Sequence, residues 1–288
     1  MSELHRAHRS HPRELHEFSF VYAVLSRRAG GISVGVNLSP HKRCNFDCTY
    51  CQVDRTTPGR VERVDVDRLR SELRAVFEAG ASGELAREPM FSGAPEELRL
   101  IADVALSGDG EPTAEPWFPE AARVVAEERA RANLDIPYRI ITNATTFHVE
   151  RVRQTLRHLD DHGLDVWAKL DAGTAEYYAL VDRSRVRFER VLDNLLECSL
   201  NRPTTIQALF ARHHGDAPTR SEIAAWAGRL GDIRRAGGVL PWVQVHTIAR
   251  PPAESFVTPL SLPELEEIAD AARLELPDAR VVAYRGAL

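Results

Sequence analysis

The chain has 288 residues, 43% hydrophobic and 27% charged, with a formal net charge of −5. This is enough apolar material for one large core or two small ones; it excludes a chain disordered throughout and leaves no global positive field for nucleic acid. No stretch approaches the roughly 20 apolar residues of a membrane span, and "MSELHRAHRSHPREL" lacks the apolar core of a signal peptide, so a cytoplasmic protein without a membrane partner is expected.

In chain order, residues 1–25 read as a tail. Its His5, His8 and His11 share one helix face among arginines and are expected to be solvated. Apolar strand-like runs then alternate with helical spacing, beginning with "SVGVNLS" (33–39). Val66, Leu69, Leu73 and Val76 mark the first helix, and Gly80–Ala102 reads as a connection with at most one short helix. Further strands are expected at "ADVALSG" (102–108), "YRIITN" (138–143), "DVWAKLD" (165–171), "TIQALFA" (205–211) and "WVQVHTI" (242–248). Val149, Val152, Leu156 and Leu159 predict another helix, Val191 and Leu195 a second, and Ile223, Trp226, Leu230 and Ile233 a third. Capping boxes are read at Thr219-x-x-Glu222 and Ser261-x-x-Glu264, and "VVAY" (281–284) as an edge strand. Six β/α repeats predict an α/β chain folded as a partial (β/α)6 TIM-like barrel, because eight repeats typically need about 250 residues before extensions. The expected organisation is a tail (1–25), the barrel (26–255), and a C-terminal helix and edge extension (256–288).

Barrel chemistry sits on the loops after the strands. At those places stand "CNFDCTYC" (44–51), "SGDGEPT" (107–113), "TNATT" (142–146), "KLDAG" (169–173), "RHHGD" (212–216) and "HTIARPPAE" (246–254). Three of the four cysteines fall within eight positions, and in a reducing compartment clustered thiols bind metal or do chemistry more often than they form disulfides. Structural zinc takes four ligands, and His41 is the candidate to complete such a site. A four-iron cluster held by three thiolates instead leaves one iron open to an outside ligand. The fourth cysteine, Cys198, reads as a small buried hydrophobe near a helix end. His213 and His214 follow the fifth strand and are candidates for a substrate role.

The spacing Cys44-x3-Cys48-x2-Cys51, with Tyr50 before the last cysteine, resembles the motif of the radical S-adenosylmethionine (SAM) superfamily. The resemblance implies a 4Fe-4S cluster ligated by those cysteines, with SAM on the fourth iron. "SGDGEPT" resembles the family's Gly-Gly-Glu segment that holds the SAM ammonium, with Gly108, Gly110 and Glu111 carrying the match and Asp109 standing where the family has glycine. By the same resemblance Thr142 and Asn143 contact the ribose, Lys169 and Asp171 approach the sugar or carboxylate, and Thr247 and Ile248 lie near adenine. The activity implied is reductive cleavage of SAM to a 5′-deoxyadenosyl radical that abstracts hydrogen from a substrate. A flavodoxin- or ferredoxin-like electron donor is implied with it.

The run "LSRRAGGISVGVNLSPHKRCNFDCTYCQVDRTTPG", with "SGDGEPT", "KLDAG" and "QALFARHHGD", is similar to the Fe–S oxidoreductase branch related to the wyosine-base synthase, which modifies a tRNA guanosine. The likeness covers most of residues 20–255. It implies a small-molecule, peptide or tRNA substrate and makes Lys169 the candidate catalytic residue, an imine former if its pKa is lowered. Arg27, Arg28, Lys42, Arg43, Arg55 and Arg60 surround the cysteine loop as a candidate anion patch or an influence on the cluster. The rival reading is a non-enzymatic module stabilised by zinc.

Overall fold

The computed structural model describes residues 18–59 and 61–286; His5, His8, His11 and Arg60 lie outside them. The chain divides into two compact units. The first comprises the described residues up to Cys44, with Arg55–Ile141 and Glu150–Leu164; the second comprises Asn45–Asp54, Thr142–Val149 and the described residues from Asp165 on.

In the first unit β1 (Val21–Ser26) pairs antiparallel with β2 (Gly31–Val36), which pairs parallel with β3 (Ile101–Leu106), and β3 with β4 (Tyr138–Thr142). Strand β1 was not anticipated by the sequence reading, and residue 25, where the tail was expected to end, lies inside it. It is fastened by Glu72, a buried carboxylate on α1 (Val66–Ala81) that accepts the backbone N–H groups of Ser19, Phe20 and Val21 at 2.8–3.0 Å. Helix α1 begins where Asp65 accepts from the Arg68 N–H and buries Leu69, Leu73, Val76 and Phe77, as helical spacing requires. The connection after it holds more than the one short helix expected: α2 (Glu84–Arg87), α3 (Pro89–Ser92) and a 3₁₀ turn at Glu96–Leu98.

Helix α4 (Phe118–Arg131) packs on α1 through a buried charge. Glu128, with 1% of its side chain exposed, accepts from Arg70 (2.7 Å), Arg74 (2.8 Å) and Arg131 (2.7 Å). Helix α5 (Glu150–Asp160) buries Val152, Leu156 and Leu159.

In the second unit β5 (Leu164–Lys169), β6 (Thr204–Leu209), β8 (Trp242–His246) and β10 (Arg280–Tyr284) pair in that order, all parallel. The two short strands β7 (Ala211–His213) and β9 (Val257–Pro259), also unanticipated, form a separate antiparallel pair. Alternation divides the parallel strands into two faces. One carries Val166, Ala168, Ile206, Ala208, Val243 and Val245, all buried. The other brings Lys169, Gln207 and Gln244 into register, with the Gln207 amide donating to Gln244 at 2.9 Å.

The helices α6 (Ala175–Val181), α7 (Phe188–Asn201), α8 (Arg220–Arg235) and α9 (Leu262–Glu275) complete the unit. Ser261 and Glu264 form the expected reciprocal capping box of α9. At α8 only half of it forms: Thr219 accepts from the Glu222 N–H, while the Glu222 carboxylate accepts from the Gly173 N–H (2.5 Å) and the Thr174 hydroxyl (2.6 Å). Among the described residues no helix is long and apolar enough to cross a membrane.

Glu128 yields a stability prediction. The Arg74 guanidinium, with those of Arg131 and Arg70, holds its carboxyl below the usual range, at about 2, although burial opposes this. A folded value below the unfolded one means that the stabilisation is complete above about pH 4.5 and is lost as pH falls toward 2. The arginines are 28%, 44% and 48% exposed, so screening reduces the contribution to about 2 kcal/mol. Glu128→Gln is expected to lower the urea unfolding free energy by that amount at neutral pH and to flatten its acid dependence. Parallel pH slopes for the two proteins would rule the carboxylate out as a contributor.

Candidate cofactor site

Residues 37–59 and 61–65 form neither helix nor strand, and the three motif cysteines are half-buried within residues 44–51. Cys44 belongs to the first unit, Cys48 and Cys51 to the second.

In the first unit the segment after β3 is built against the loop that leaves β2. The Asn37 side-chain oxygen accepts from the N–H groups of Ser39 (3.0 Å) and Asp109 (3.1 Å), and its amide donates to the Asp109 carboxylate at 2.7 Å. Gly108 has φ +156°, and a Cβ there would stand 2.4 Å from the Asn37 oxygen; one on Gly110 would stand 2.3 Å from the Arg43 carbonyl oxygen. Asp109 is not among the residues with positive φ, which is why a side chain is tolerated between the two glycines. Glu111 is buried and accepts from the Thr113 N–H (3.1 Å) and hydroxyl (2.5 Å).

The expected basic patch is largely committed to its own chain. Arg55 donates to the carbonyls of Lys42 and Asp109, Arg43 pairs with Glu62 at 2.8 Å, and Lys42 donates to the Thr57 carbonyl at 3.3 Å. His41 is also committed: Nδ1 accepts the Arg43 N–H at 3.0 Å, and Nε2 lies 3.2 Å from Glu115, whose other oxygen accepts from the Ser39 hydroxyl at 2.6 Å.

In the second unit the cysteine loop closes a turn in which the Cys51 N–H donates to the Cys48 carbonyl at 2.9 Å. Tyr50 lies beneath it, and its hydroxyl donates to Asp171 and to Asp182, the latter at 3.0 Å. Asp171 extends from the end of β5. One of its oxygens accepts the Leu209 N–H at 2.7 Å, and the other pairs with Lys169 at 3.0 Å. The Lys169 ammonium also lies 5.0 Å from the centre of the Tyr50 ring. Burial alone would lower the Lys169 pKa, but the Asp171 carboxylate beside it holds it above the ordinary value. The favoured form is thus the ammonium, suited to holding an anion and opposite in direction to the neutral amine of imine formation.

Asp182, which the sequence reading missed because it follows a short helix and not a strand, accepts from the Cys48 thiol at 3.6 Å. Its backbone carbonyl takes the Asp47 N–H at 3.0 Å. Thr142 ends β4 and Asn143 follows it. The Asn143 amide donates to Asn45 at 2.7 Å and its oxygen accepts the Thr145 hydroxyl at 2.7 Å, while Thr142 accepts the Ala144 N–H at 3.0 Å. Thr247 accepts the Leu260 N–H at 3.0 Å, and Ile248 joins Tyr50, Ala211 and Val257 in an apolar cluster on which Cys48 packs. The second unit thus gathers Tyr50, Lys169 and Asp171, places Ile248 against Tyr50, and ties Asn143 to the cysteine loop.

Three half-buried cysteines within eight positions are a donor set that fits thiolate ligation of iron. Among the described residues no three His, Cys, Asp or Glu side chains converge on a point where one ion would sit. A cluster makes a different demand, because each thiolate takes its own iron.

No family model matches the chain. A UPF0026 protein of Methanocaldococcus jannaschii is 31% identical over 257 residues, spanning 85% of this chain and 67% of that protein. A UPF0026 protein of Helicobacter pylori is 27% identical over 180 residues, and a Brachyspira hyodysenteriae protein named GTPase Obg is 26% identical over 179. The chain spans 50% and 22% of those two, and it contains no Gly-Lys-Ser/Thr phosphate-binding segment. Among solved structures, Streptococcus suis SuiB bound to SAM superposes with a TM-score of 0.55 at 11% identity, over 90% of this chain and 49% of SuiB. TYW1 with a lysine–pyruvate adduct gives 0.52 at 15%, over 91% and 85%, and anSMEcpe with bound SAM and a peptide gives 0.51 at 14%, over 86% and 63%. The chain is therefore a member of the UPF0026 family, with the partial α/β barrel fold of the radical SAM enzymes.

Proposed function

We propose that the chain binds a 4Fe-4S cluster through Cys44, Cys48 and Cys51 and is a radical SAM enzyme acting in a reducing compartment, the cytoplasm. The observation that carries the reading is the set of three cysteines at intervals of three and two residues, in a fold shared with proteins crystallised with SAM. When bound, cluster and SAM would supply reductive cleavage of the sulfonium to a 5′-deoxyadenosyl radical for hydrogen abstraction from the substrate.

The chain's own residues then have assignable tasks. Cys44, Cys48 and Cys51 hold the iron. The Gly108–Glu111 segment offers close backbone approach and a carboxylate to an ammonium group. The Lys169 ammonium holds a carboxylate, and Asp171 and Tyr50 orient it. Asp171 has both oxygens engaged by Leu209, Tyr50 and Lys169, so its role in this scheme is positioning. Thr142 and Asn143 border the ribose, Thr247 and Ile248 the adenine. An external one-electron donor of flavodoxin or ferredoxin type completes the reaction. A wyosine-type tRNA reaction is a narrower form of this reading, favoured by the mutual coverage with TYW1. It would need a lysine held neutral, and the surroundings of Lys169 hold its charge.

The zinc reading is weakened by His41, both of whose ring nitrogens are already engaged. His41→Ala is expected to cost roughly 1–3 kcal/mol of stability, through the loss of one partner of buried Glu115, which keeps the Ser39 hydroxyl, and to leave bound metal unchanged. Metal content falling by one equivalent in that variant would instead make His41 a ligand.

The direct test is anaerobic reconstitution with iron and sulfide, followed by dithionite and SAM, with 5′-deoxyadenosine measured by chromatography. Wild type is expected to form it, and Cys48→Ala to lose at least a hundredfold of the yield. Stoichiometric zinc with no bound iron would overturn the proposal.

A further inference from the structure

The β7–β9 pair stands apart from the parallel sheet, with Ala211, Arg212 and His213 opposite Pro259, Thr258 and Val257. Its functional content is at His213. The residue is 8% exposed, with its ring between those of Tyr177 and Phe256, each at 6.4 Å. Its backbone is held on both sides: the His213 N–H donates to the Asp216 carbonyl at 2.9 Å, and the Asp216 N–H returns to the His213 carbonyl at 3.0 Å.

An imidazole in such a cage is costly unless its nitrogens are bonded. Nε2 lies 2.7 Å from the Thr49 hydroxyl, and the ring also bonds the backbone of Ala211. The neutral imidazole bonds the Thr49 hydroxyl in either tautomer, as acceptor of its proton or as donor to it while the hydroxyl turns to the Val181 carbonyl at 3.4 Å. Burial, with help from His214 and Arg183, lowers the His213 pKa and keeps the ring in this neutral form.

Thr49 stands between Cys48 and Cys51 and is 1% exposed. Its N–H is already given to the Val181 carbonyl at 2.9 Å. The hydroxyl reaches the same carbonyl at 3.4 Å, and its shorter bond, to His213 at 2.7 Å, joins the turn carrying two cysteines to an element more than 160 residues away. Other contacts reach the same turn: the Ala253 N–H donates to the Cys51 carbonyl at 3.1 Å, and the Gln52 amide to the Arg250 carbonyl at 2.9 Å. These bind the ends of the turn; its middle is held by Tyr50, through Asp171 and Asp182, and by Thr49, through Val181 and His213.

We propose that His213 is a positioning residue for the cysteine motif: through Thr49 it sets the orientation of the Cys48 and Cys51 thiols before any metal is bound. The inference deepens the cofactor reading and rests on it only for the spectroscopic part of the test below. The chemical part uses metal-free protein.

Site-resolved alkylation by iodoacetamide, followed by mass spectrometry of the full-length chain, measures how tightly the turn is held, with buried Cys198 as internal control. Thr49→Val and His213→Ala are each expected to speed modification of Cys48 and Cys51 roughly tenfold, the scale of one buried neutral hydrogen bond. The double variant should be no faster than either single one, because both remove the same bond. Thr49→Ser, which keeps the hydroxyl, should stay within about twofold of wild type, and Cys198 should be unaffected throughout. Wild-type rates in both single variants, additive effects in the double, or faster modification of Cys198 alongside the others would each overturn the proposal. In reconstituted, reduced protein the electron paramagnetic resonance spectrum should change in the same way in Thr49→Val and His213→Ala and revert in Thr49→Ser. Unchanged spectra would overturn it as well. A wild type that binds no iron removes the cofactor reading alone, and alkylation still decides whether His213 positions the thiols.

Discussion

The carboxylate of Asp171 is the group around which the second unit's site is organised. It is 2% exposed and accepts from the Tyr50 hydroxyl, the Lys169 ammonium and the Leu209 N–H. These partners come from the cysteine loop, the end of β5 and the end of β6. A buried charge with partners on three segments fixes all three, because withdrawing any one leaves a charge or dipole in an apolar setting. Removing the carboxylate would leave the ammonium uncompensated, a cost on the order of 3–5 kcal/mol for a buried pair. Tyr50 is thereby more than packing beneath Cys51: its ring faces the Lys169 ammonium and its hydroxyl bridges Asp171 and Asp182.

The cysteine loop shows how irregular backbone is kept in one arrangement. A segment without helix or strand must find partners for its N–H and C=O groups elsewhere. Here Asp47 and Thr49 donate to the carbonyls of Asp182 and Val181, Cys51 receives from Ala253, and Asn45 is bonded to Asn143 and Thr145. The first unit uses another device at its glycine-containing segment. There the Asn37 side chain imitates a strand neighbour, accepting two N–H groups and donating to Asp109, and the glycines allow it to come close. Both devices place polar atoms by hydrogen bonding and not by core packing.

Much of this was legible from residue type. The parallel strands were found because their apolar runs are buried on one face, and α1, α5, α7 and α8 because their apolar residues recur at helical spacing. The expected VVAY edge strand is β10, and the one complete capping box is at Ser261. What escaped was of two kinds. Strand β1 and the three-residue strands β7 and β9 are too short or too near the chain start for periodicity to separate them from loop. Pairings were the other kind. Tyr50 with Asp171 and Thr49 with His213 join residues 121 and 164 positions apart, and a sequence names donors and acceptors without saying which will meet. His41 illustrates the cost of that gap: as a residue type it is a zinc ligand, and in the fold it is a clamp between Arg43 and Glu115. Glu222 is the same lesson at a helix start, since its carboxylate is drawn to Gly173 and Thr174 and so does not complete the box.

The two faces of the second unit's sheet differ in polarity within single strands. Val166, Ala168, Ile206, Ala208, Val243 and Val245 contribute apolar burial, each worth up to a few kcal/mol for the larger side chains. On the opposite face the same strands carry Lys169, Gln207 and Gln244 in one row, where apolar residues would bury more favourably. The Gln207–Gln244 bond recovers part of that cost, and the Lys169–Asp171 pair another part. Polar groups kept in register at a sheet's centre are costly for stability alone. The alternation of the strand lets the opposite face supply the compensating core.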